Sequence, residues 1–271
     1  MKRAKYHRYI PEDIDRIRGG EYTTSELIDK FGYSTRSISH YKKNDKPPVV
    51  KKGMPPKPKN PINTLFFSEW SHDMAHLLGF ILGDGCIVMS KTKKGDVPSR
   101  ICIGLHQQDR QFLLHIKDIV NSSVGVRDKN YHGKLMSHFD INSVKMTTDV
   151  YNLGIGPNKS LTQEFPKIPG NYQNAFILGI LESDGCIWDA KDGIGISFTG
   201  TESVCRRIQE ILNKGGNLRK RTENNTWGLS YHGNYKCRKI LSWIYEDSRQ
   251  EFRMERKYDK YTKLVEKYAQ L

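Results

Sequence analysis

The sequence lacks any long hydrophobic run, and this absence excludes several classes of protein. No segment approaches the roughly 18 consecutive apolar residues of a membrane-spanning helix. The basic start MKRAKYHRYI is not followed by the apolar stretch of a secretory signal. We therefore expect a cytoplasmic protein that neither enters a membrane nor is secreted.

Cysteine is also scarce. The five cysteines are an odd number and contain no CxxC pair, which argues against a disulfide framework and against a structural zinc site. A reducing compartment fits this pattern, and we expect most thiols to act as small core residues. The cysteines are Cys86, Cys102, Cys186, Cys205 and Cys237.

Acidic residues are too few to balance the basic ones. The 271 residues contain 44 Lys or Arg against 30 Asp or Glu, a formal charge of +14, with a hydrophobic content of 37% that can supply a sizeable core. An excess of this sign favours a polyanionic partner, and nucleic acid leads among the candidates. No Ser-His-Asp, zinc-ligand or P-loop arrangement offers a competing chemistry.

Residues 1–44 have the pattern of a small helix-turn-helix domain. Pro11 suits the first turn of a helix, and Thr23 with Glu26 forms a capping-box pattern at the start of a second. A third helix, 34–43, carries the short polar and basic side chains of a recognition helix. The alternative is a three-helix packing module with a solvated face. The candidate DNA-binding residues on this helix are Arg36, His40, Lys42 and Lys43.

Residues 45–63 interleave prolines with lysines, so we expect an extended, semi-rigid tether between domains. Residues 1–60 hold 15 Lys or Arg against 7 Asp or Glu, a surplus of 8. More than half of the excess charge therefore lies on the appendage and its tether, where it can follow a phosphate backbone.

An internal repeat organises the rest of the chain. The segment GFILGDGCI, residues 79–87, returns one hundred positions later as GILESDGCI, residues 179–187. Each copy is followed by two strand patterns and a helix pattern. Two similar halves imply two α+β modules related by a pseudo-twofold axis.

The strand patterns alternate between apolar and polar residues. Ile101, Ile103 and Leu105 alternate with Arg100 and His106, for example. We also predict strands around Val124 to Lys129 and around Trp227 to Tyr231, and helices over 110–121 and 203–213. One sheet face is therefore buried under helices, while the other face is polar, partly basic and open.

The repeated motif predicts a paired acidic site. Gly79 and Gly83, and in the second copy Gly179 and Ser183, lie four residues apart on one helical face, which lets two backbones approach closely. Asp84 and Asp184 would then meet at two helix C-termini, where the helix dipole disfavours negative charge. A divalent cation between the two carboxylates would relieve their repulsion.

The motifs LLGFILGDG, residues 77–85, and ILGILESDG, residues 177–185, resemble the two signature helices of monomeric LAGLIDADG homing endonucleases. The resemblance extends from about Ser68 to Tyr261 and includes the stretches LGIGPNKS and RMERKYDKY. It implies an α+β fold of two αββαββα halves, over 64–165 and 166–271, whose antiparallel sheets form a saddle on the DNA major groove.

The resemblance also implies residue roles. Asp84 and Asp184 fall on the metal-binding acidic position, with Mg²⁺ or Mn²⁺ as cofactor. Gln107 or Gln108, Lys145 and Lys236 occupy places comparable to those of the family's polar and basic site residues. Leu82 replaces the earlier acid of the motif, whereas Glu182 retains it. The remaining DNA-binding candidates, on the predicted sheets, are Arg100, His106, Arg127, Lys129, Arg219 and Arg221.

The resemblance implies a site-specific endonuclease that acts as a monomer on double-stranded DNA, with metal-assisted phosphodiester hydrolysis as its chemistry. Two alternatives stay open, a non-cleaving DNA-binding regulator and an RNA-splicing maturase. The two retained acids argue against the first, and RNA is the less favoured partner. Because the sequence begins Met1-Lys2 and ends Ala269-Gln270-Leu271, we expect a free-standing protein rather than a self-splicing intein.

Overall fold

The computed structural model describes residues 11–31, 33, 35–43, 61–93, 95–191, 193–221 and 226–269. The chain divides into two compact units, residues 1–57 and 58–271. Residues 45–60 of the predicted tether, 45–63, lie outside the described residues. Residues 61–63 belong to the larger unit and hydrogen-bond within it, since Asn63 N donates to Val120 O over 2.9 Å and Ser123 N donates to Pro61 O over 3.0 Å.

The N-terminal unit contains three helices, α1 (Pro11–Arg18), α2 (Thr24–Phe31) and α3 (Thr35–Lys43). The capping box at α2 forms as predicted, because Thr23 N donates to Glu26 Oε2 over 2.7 Å and Glu26 N donates to Thr23 Oγ1 over 3.3 Å. Residue 34, where the third helix was predicted to begin, lies outside the described residues. The unit has a small hydrophobic core of its own, formed by Ile17, Leu27, Tyr33, Ile38 and Tyr41.

The larger unit contains two copies of one arrangement of elements. The first copy consists of α4 (His72–Asp84), β1 (Gly85–Thr92), β2 (Gly95–His106), α5 (Arg110–Ile119), β3 (Arg127–Tyr131), β4 (Lys134–Ile141) and α6 (Val144–Asn152). The second consists of α7 (Gln173–Asp184), β5 (Gly185–Ala190), β6 (Gly193–Gly200), α8 (Glu202–Leu212), β7 (Asn217–Arg221), β8 (Thr226–His232) and α9 (Asn234–Tyr245). One further helix, α10 (Glu255–Lys267), follows.

Each copy forms a four-stranded antiparallel sheet, with the strand orders β1-β2-β4-β3 and β5-β6-β8-β7. Apolar residues at every second position of β2 and β6 are buried, as Ile101, Ile103, Ile196 and Phe198 show. The alternate positions belong to the face that the helices leave open. The structure thus confirms the predicted α+β fold class, with the αββαββα order in both halves.

The two halves share one hydrophobic core, which includes residues of both signature helices and of both sheets. Leu78 and Phe80 of α4 and Phe176 and Ile180 of α7 are fully or almost fully buried in it. This shared core fixes one half relative to the other. Among the described helices, none has the length and apolar content needed to cross a membrane.

The strand predicted around Val124 to Lys129 starts later in the chain than expected. The strand expected from Val124 begins only at Arg127, and all five residues of β3 are exposed, while Val124 and Val126 pack against the core before the strand starts. Their apolar alternation therefore reflects packing of a connecting segment and not strand pairing.

The thiols also differ from the prediction, which made most of them core residues. Cys205 and Cys237 are buried, but Cys86 and Cys186 are exposed and Cys102 is partly so. Cys86 pairs with Cys102 in the first sheet and Cys186 pairs with Ser197 in the second, so these side chains share the open face of their sheets.

Candidate active site

The two signature helices, α4 and α7, touch through their small residues. A methyl group on Gly79 would lie 2.0 Å from the Phe176 carbonyl oxygen, and one on Gly179 would lie 2.1 Å from the His76 carbonyl oxygen. Both distances are far inside van der Waals contact, so each glycine admits the backbone of the opposite helix. These two glycines therefore lie at the contact between α4 and α7.

Glycine and serine face each other at the ends of the same helices. A methyl group on Gly83 would lie 2.0 Å from Ser183 Oγ and 3.1 Å from Asp184 Oδ2. The carboxyl group that ends α7 is therefore pressed against the last turn of α4, one residue before Asp84. The structure brings together the four small residues and the two acids that the sequence singled out.

The environment of these acids opposes their ionisation. Asp84 and Asp184 keep exposed surface, but the surrounding protein partly dehydrates their carboxyl groups. Burial, and then the negative charge of Asp184, raise the pKa of Asp84 to about 6. Burial also raises the pKa of Asp184, against the opposing effect of two lysines, Lys159 and Lys257. The protein therefore disfavours the ionised form of both carboxyl groups, chiefly because burial dehydrates them.

Lys159 binds the end of the first signature helix. It belongs to the segment between the halves, and its Nζ donates to the carbonyl oxygen of Gly83 over 2.6 Å. Burial lowers the pKa of Lys159, while Asp184 and Asp84 act in the opposite direction. An ammonium group at a helix C-terminus satisfies a free carbonyl and opposes the negative end of the dipole.

Lys257 does the same for the second signature helix. This buried lysine of α10 donates to the carbonyl oxygens of Leu181 and Glu182 over 2.7 Å, of Gly185 over 2.8 Å and of Ser183 over 3.3 Å. Burial, and then the charge of Arg256, lower its pKa to about 8. Each carboxylate thus has a lysine anchored to the helix end that carries it.

Glu182, the earlier acid of the second motif, connects separate elements of the fold. It is buried, its Oε2 lies 2.6 Å from His76 Nε2, and its Oε1 accepts from Met254 N over 2.7 Å. It therefore ties α7 to α4 and to the residue preceding α10. Leu82, at the same place in the first half, lies in the hydrophobic core.

An ion pair fixes α10 against the first half. Arg256 donates through Nε and a terminal nitrogen to the two carboxylate oxygens of Asp109, each over 3.0 Å. Asp109 follows the end of β2 and is buried. Since Arg256 is the neighbour of Lys257, this two-point contact also holds the lysine in place.

The lysines predicted for the site lie elsewhere. Lys145, on α6, donates to Asp149 Oδ1 over 2.7 Å and to Ser68 Oγ over 3.0 Å, and Lys236 is exposed in the first turn of α9. Neither is among the charged groups that act on Asp84 or Asp184, whereas Lys159 and Lys257 act on both. The structure therefore does not bring Lys145 or Lys236 together with the two acids, and their catalytic role stays a prediction. Sequence reasoning had singled out the stretches LGIGPNKS and RMERKYDKY, which contain Lys159 and Lys257, but gave neither lysine a role.

The polar residues predicted beside the site follow β2. Gln107 and Gln108 are exposed in a short 3₁₀ turn, and Gln108 N donates to His106 Nδ1 over 3.3 Å. The turn places both glutamines at the end of β2, one of the two central strands of the first sheet, beside the buried Asp109.

The predicted DNA-binding residues of the core lie on the two sheets. On the first sheet, His106, Arg127 and Lys129 are exposed, while Arg100 is half-buried. On the second, Arg219 and Arg221 are exposed on the outer strand β7. In the N-terminal unit, Lys42 and Lys43 are exposed at the end of α3, and the side chains of Arg36 and His40 lie outside the described residues.

Comparison with known proteins agrees with this architecture. Residues 77–153 match the model of the LAGLIDADG endonuclease family. The core has the LAGLIDADG fold. The DNA-bound LAGLIDADG homing endonuclease I-LtrWI superposes with a TM-score of 0.51 at 9% identity, over 77% of this chain and 92% of that one.

Two further solved structures share the LAGLIDADG fold. I-GzeII, in complex with its DNA target, gives a TM-score of 0.51 at 11% identity, over 74% of this chain and 92% of the other. A mutant of I-SmaMI gives 0.52 at 10% identity, over 72% and 92%. At such low identities the likeness establishes the fold alone. The sequence matches none of the curated proteins.

Proposed function

We propose that this protein is a site-specific DNA endonuclease that hydrolyses phosphodiester bonds in duplex DNA with divalent metal ions. One observation carries the proposal. Two related helices pack so closely that Asp184 Oδ2 lies 3.1 Å from where a methyl group on Gly83 would be, which places two ionisable carboxyl groups side by side at the helix ends. The LAGLIDADG fold makes a nuclease the first interpretation of such a pair.

The carboxyl pair fits Mg²⁺ or Mn²⁺. Both acids offer hard oxygen ligands, and burial, the main cause of their raised pKa values, disfavours their ionisation in the absence of a cation. Within the described ranges, no group of three or more His, Cys, Asp or Glu side chains could hold an ion. Water and phosphate oxygens would therefore complete the shell around Asp84 and Asp184. Such an ion supplies activation of water and neutralisation of phosphate charge.

The protein's own residues supply the remaining parts. Lys159 and Lys257 hold the helix ends through backbone carbonyls, which fixes the two acids relative to one another. Their ammonium groups also bring positive charge to the place where a cleaved phosphate would acquire negative charge. We therefore assign to Lys159 and Lys257 the role expected from sequence for Lys145 and Lys236. Gln107 remains a candidate for orienting solvent beside the first acid.

The open sheet faces are the proposed DNA surface. Arg100, His106, Arg127 and Lys129 line one, and Arg219 and Arg221 line the other. I-LtrWI and I-GzeII, which share the fold, have been solved with target DNA. One chain contains both signature helices and both acids, so we expect a monomer to act on double-stranded DNA.

The N-terminal unit is proposed to add a second DNA contact of the helix-turn-helix type. Its three short helices enclose a small core, and α3 ends in the exposed Lys42 and Lys43. Residues 1–60 also hold 15 Lys or Arg against 7 Asp or Glu. This charge favours a phosphate backbone as the partner.

The direct test is incubation of the full chain with a randomised duplex DNA library and Mg²⁺, followed by sequencing of the cut ends. We expect cuts at one related set of sites, which stop in EDTA and in the Asp84→Asn and Asp184→Asn variants while DNA binding persists. Cutting by both variants at the wild-type rate would refute the site. Specific binding without cutting by the wild type would favour a regulator, and stimulation of intron splicing in RNA would favour a maturase.

A further inference from the structure

On the first sheet, a buried acid holds the exposed Arg127 in place. It begins the outer strand β3, opposite His138 of β4, and donates through a terminal nitrogen to Asp140 Oδ2. Asp140 lies two residues further along β4, on the same face, so the arginine reaches diagonally across the sheet. The Asp140 side chain is 11% exposed and the Arg127 side chain is 67% exposed.

Asp140 is fixed within the sheet. It pairs with Cys102 of β2 in the strand register, and its residue is buried in the sheet. A carboxylate held in this way restricts the conformations of the long arginine side chain. The ordering cost of binding is thereby reduced, because that side chain is already restricted before a ligand arrives.

The guanidinium keeps donors for a ligand. Among the described residues Asp140 is its one hydrogen-bond partner, through one terminal nitrogen, so most of its five N–H groups are left for other acceptors. Two adjacent N–H groups of arginine match O6 and N7 of guanine in the major groove. The carboxylate also neutralises much of the positive charge, which weakens attraction to phosphate but leaves directional hydrogen bonding intact.

The second half contains the matched position without the acid. The register aligns Arg219, opposite Gly228, with Arg127, opposite His138. The residue aligned with Asp140 is Ser230, which pairs with Ser197 as Asp140 pairs with Cys102. Arg219 instead donates through Nε to Asn217 Oδ1 over 2.9 Å, a neutral partner on its own strand.

We propose that Arg127, held by Asp140, reads a guanine in the part of the target that lies under the first half of the saddle, and that the equivalent Arg219 discriminates less. This inference rests on the proposed function, because it assumes that the open face meets the major groove. It assigns one base of an asymmetric recognition sequence to one side chain.

The test is selection of binding sites from a random duplex library by the full chain carrying Asp84→Asn and Asp184→Asn. We expect a motif with one guanine that becomes degenerate when Arg127→Ala or Asp140→Ser is added, with roughly tenfold or greater loss of discrimination at that position. Arg127→Lys keeps the charge but not the two-point donor, so it should lose the same preference and keep most of the affinity. Arg219→Ala is the matched control and should leave that guanine in place.

The outcomes separate the inference from the proposed function. If Arg127→Ala selects an unchanged motif and binds every sequence more weakly, with a shallower dependence of affinity on salt, Arg127 contacts phosphate and the guanine assignment is wrong. If the parent chain enriches no sequence at all, site-specific DNA recognition itself fails. Circular dichroism of each variant establishes that it is folded.

Discussion

Replacing Asp84 by Asn should stabilise the metal-free protein at neutral and alkaline pH. The pKa of Asp84 is about 6 in the folded chain against 3.8 for an ordinary aspartate, so the folded state disfavours the ionised form. A shift of about two pH units corresponds to roughly 3 kcal/mol in full. Because Asp84 keeps exposed surface, solvent screening reduces this to about 1 kcal/mol. In a domain of this size, that is an increase in Tm of about 2–4 °C.

The stability gained by Asp84→Asn should depend on pH. Above pH 6 the wild-type carboxylate is ionised in both the folded and the unfolded state, and the cost of ionising it in the fold is fully present. The cost declines as the pH falls from 6 towards 3.8, because the folded state then binds the proton first. The advantage of Asp84→Asn should therefore be largest at pH 8 and small near pH 4.

The assay is thermal unfolding of the full chain in EDTA at pH 8, 6 and 4.5, with Asp259→Asn, an exposed site on α10, as the control. Adding Mg²⁺ at pH 8 should raise the Tm of the wild type more than that of Asp84→Asn, since ligand binding to the folded state stabilises it. An Asp84→Asn variant that is no more stable than the wild type in EDTA at pH 8, or equally advantaged at pH 4.5, would refute the reasoning.

Three other predictions concern packing, capping and charge. Gly179→Ala should cost about 1–3 kcal/mol of folding free energy, because its methyl group would meet backbone at 2.1 Å, whereas Gly125→Ala has open space and serves as the control in denaturant titrations. Lys257→Met should lower the free energy of unfolding by about 3 kcal/mol in the same titrations, because it leaves four carbonyl oxygens without their hydrogen-bond donor. The control Lys263→Met, at an exposed position, should leave the stability unchanged. Deleting residues 1–60 should flatten the slope of log affinity against log salt and leave the core folded; an unchanged slope would show that this segment does not touch DNA.

The fold was predictable from the sequence because its signals are local and occur twice. The alternation of Ile101, Ile103 and Leu105 marks a half-buried strand without reference to the rest of the chain. Likewise, small residues four apart mark a face that admits a second helix. The repetition of this pattern after one hundred residues then pairs the two copies. The end of each helix at an Asp-Gly sequence placed the two acids together.

The lysines could not be assigned by the same reasoning. Lys159 and Lys257 reach the helix ends through chain reversals that no short-range pattern encodes, and they contact residues more than 70 positions away. Lys145 was an equally plausible candidate until the structure placed its ammonium group on Asp149. The same limit applies to Arg127, whose partner Asp140 is visible only once the strand register is known.

The anchoring of α7 by Lys257 has a consequence for the order in which the protein matures during synthesis. Both acids and both sheets precede residue 233, but the ammonium that binds the end of α7 belongs to α10. Domains fold progressively as the chain leaves the ribosome. A nascent chain that stops before Lys257 therefore carries both carboxylates and lacks the group that secures the second one. Acquisition of a finished site is thus delayed until α10 has been translated.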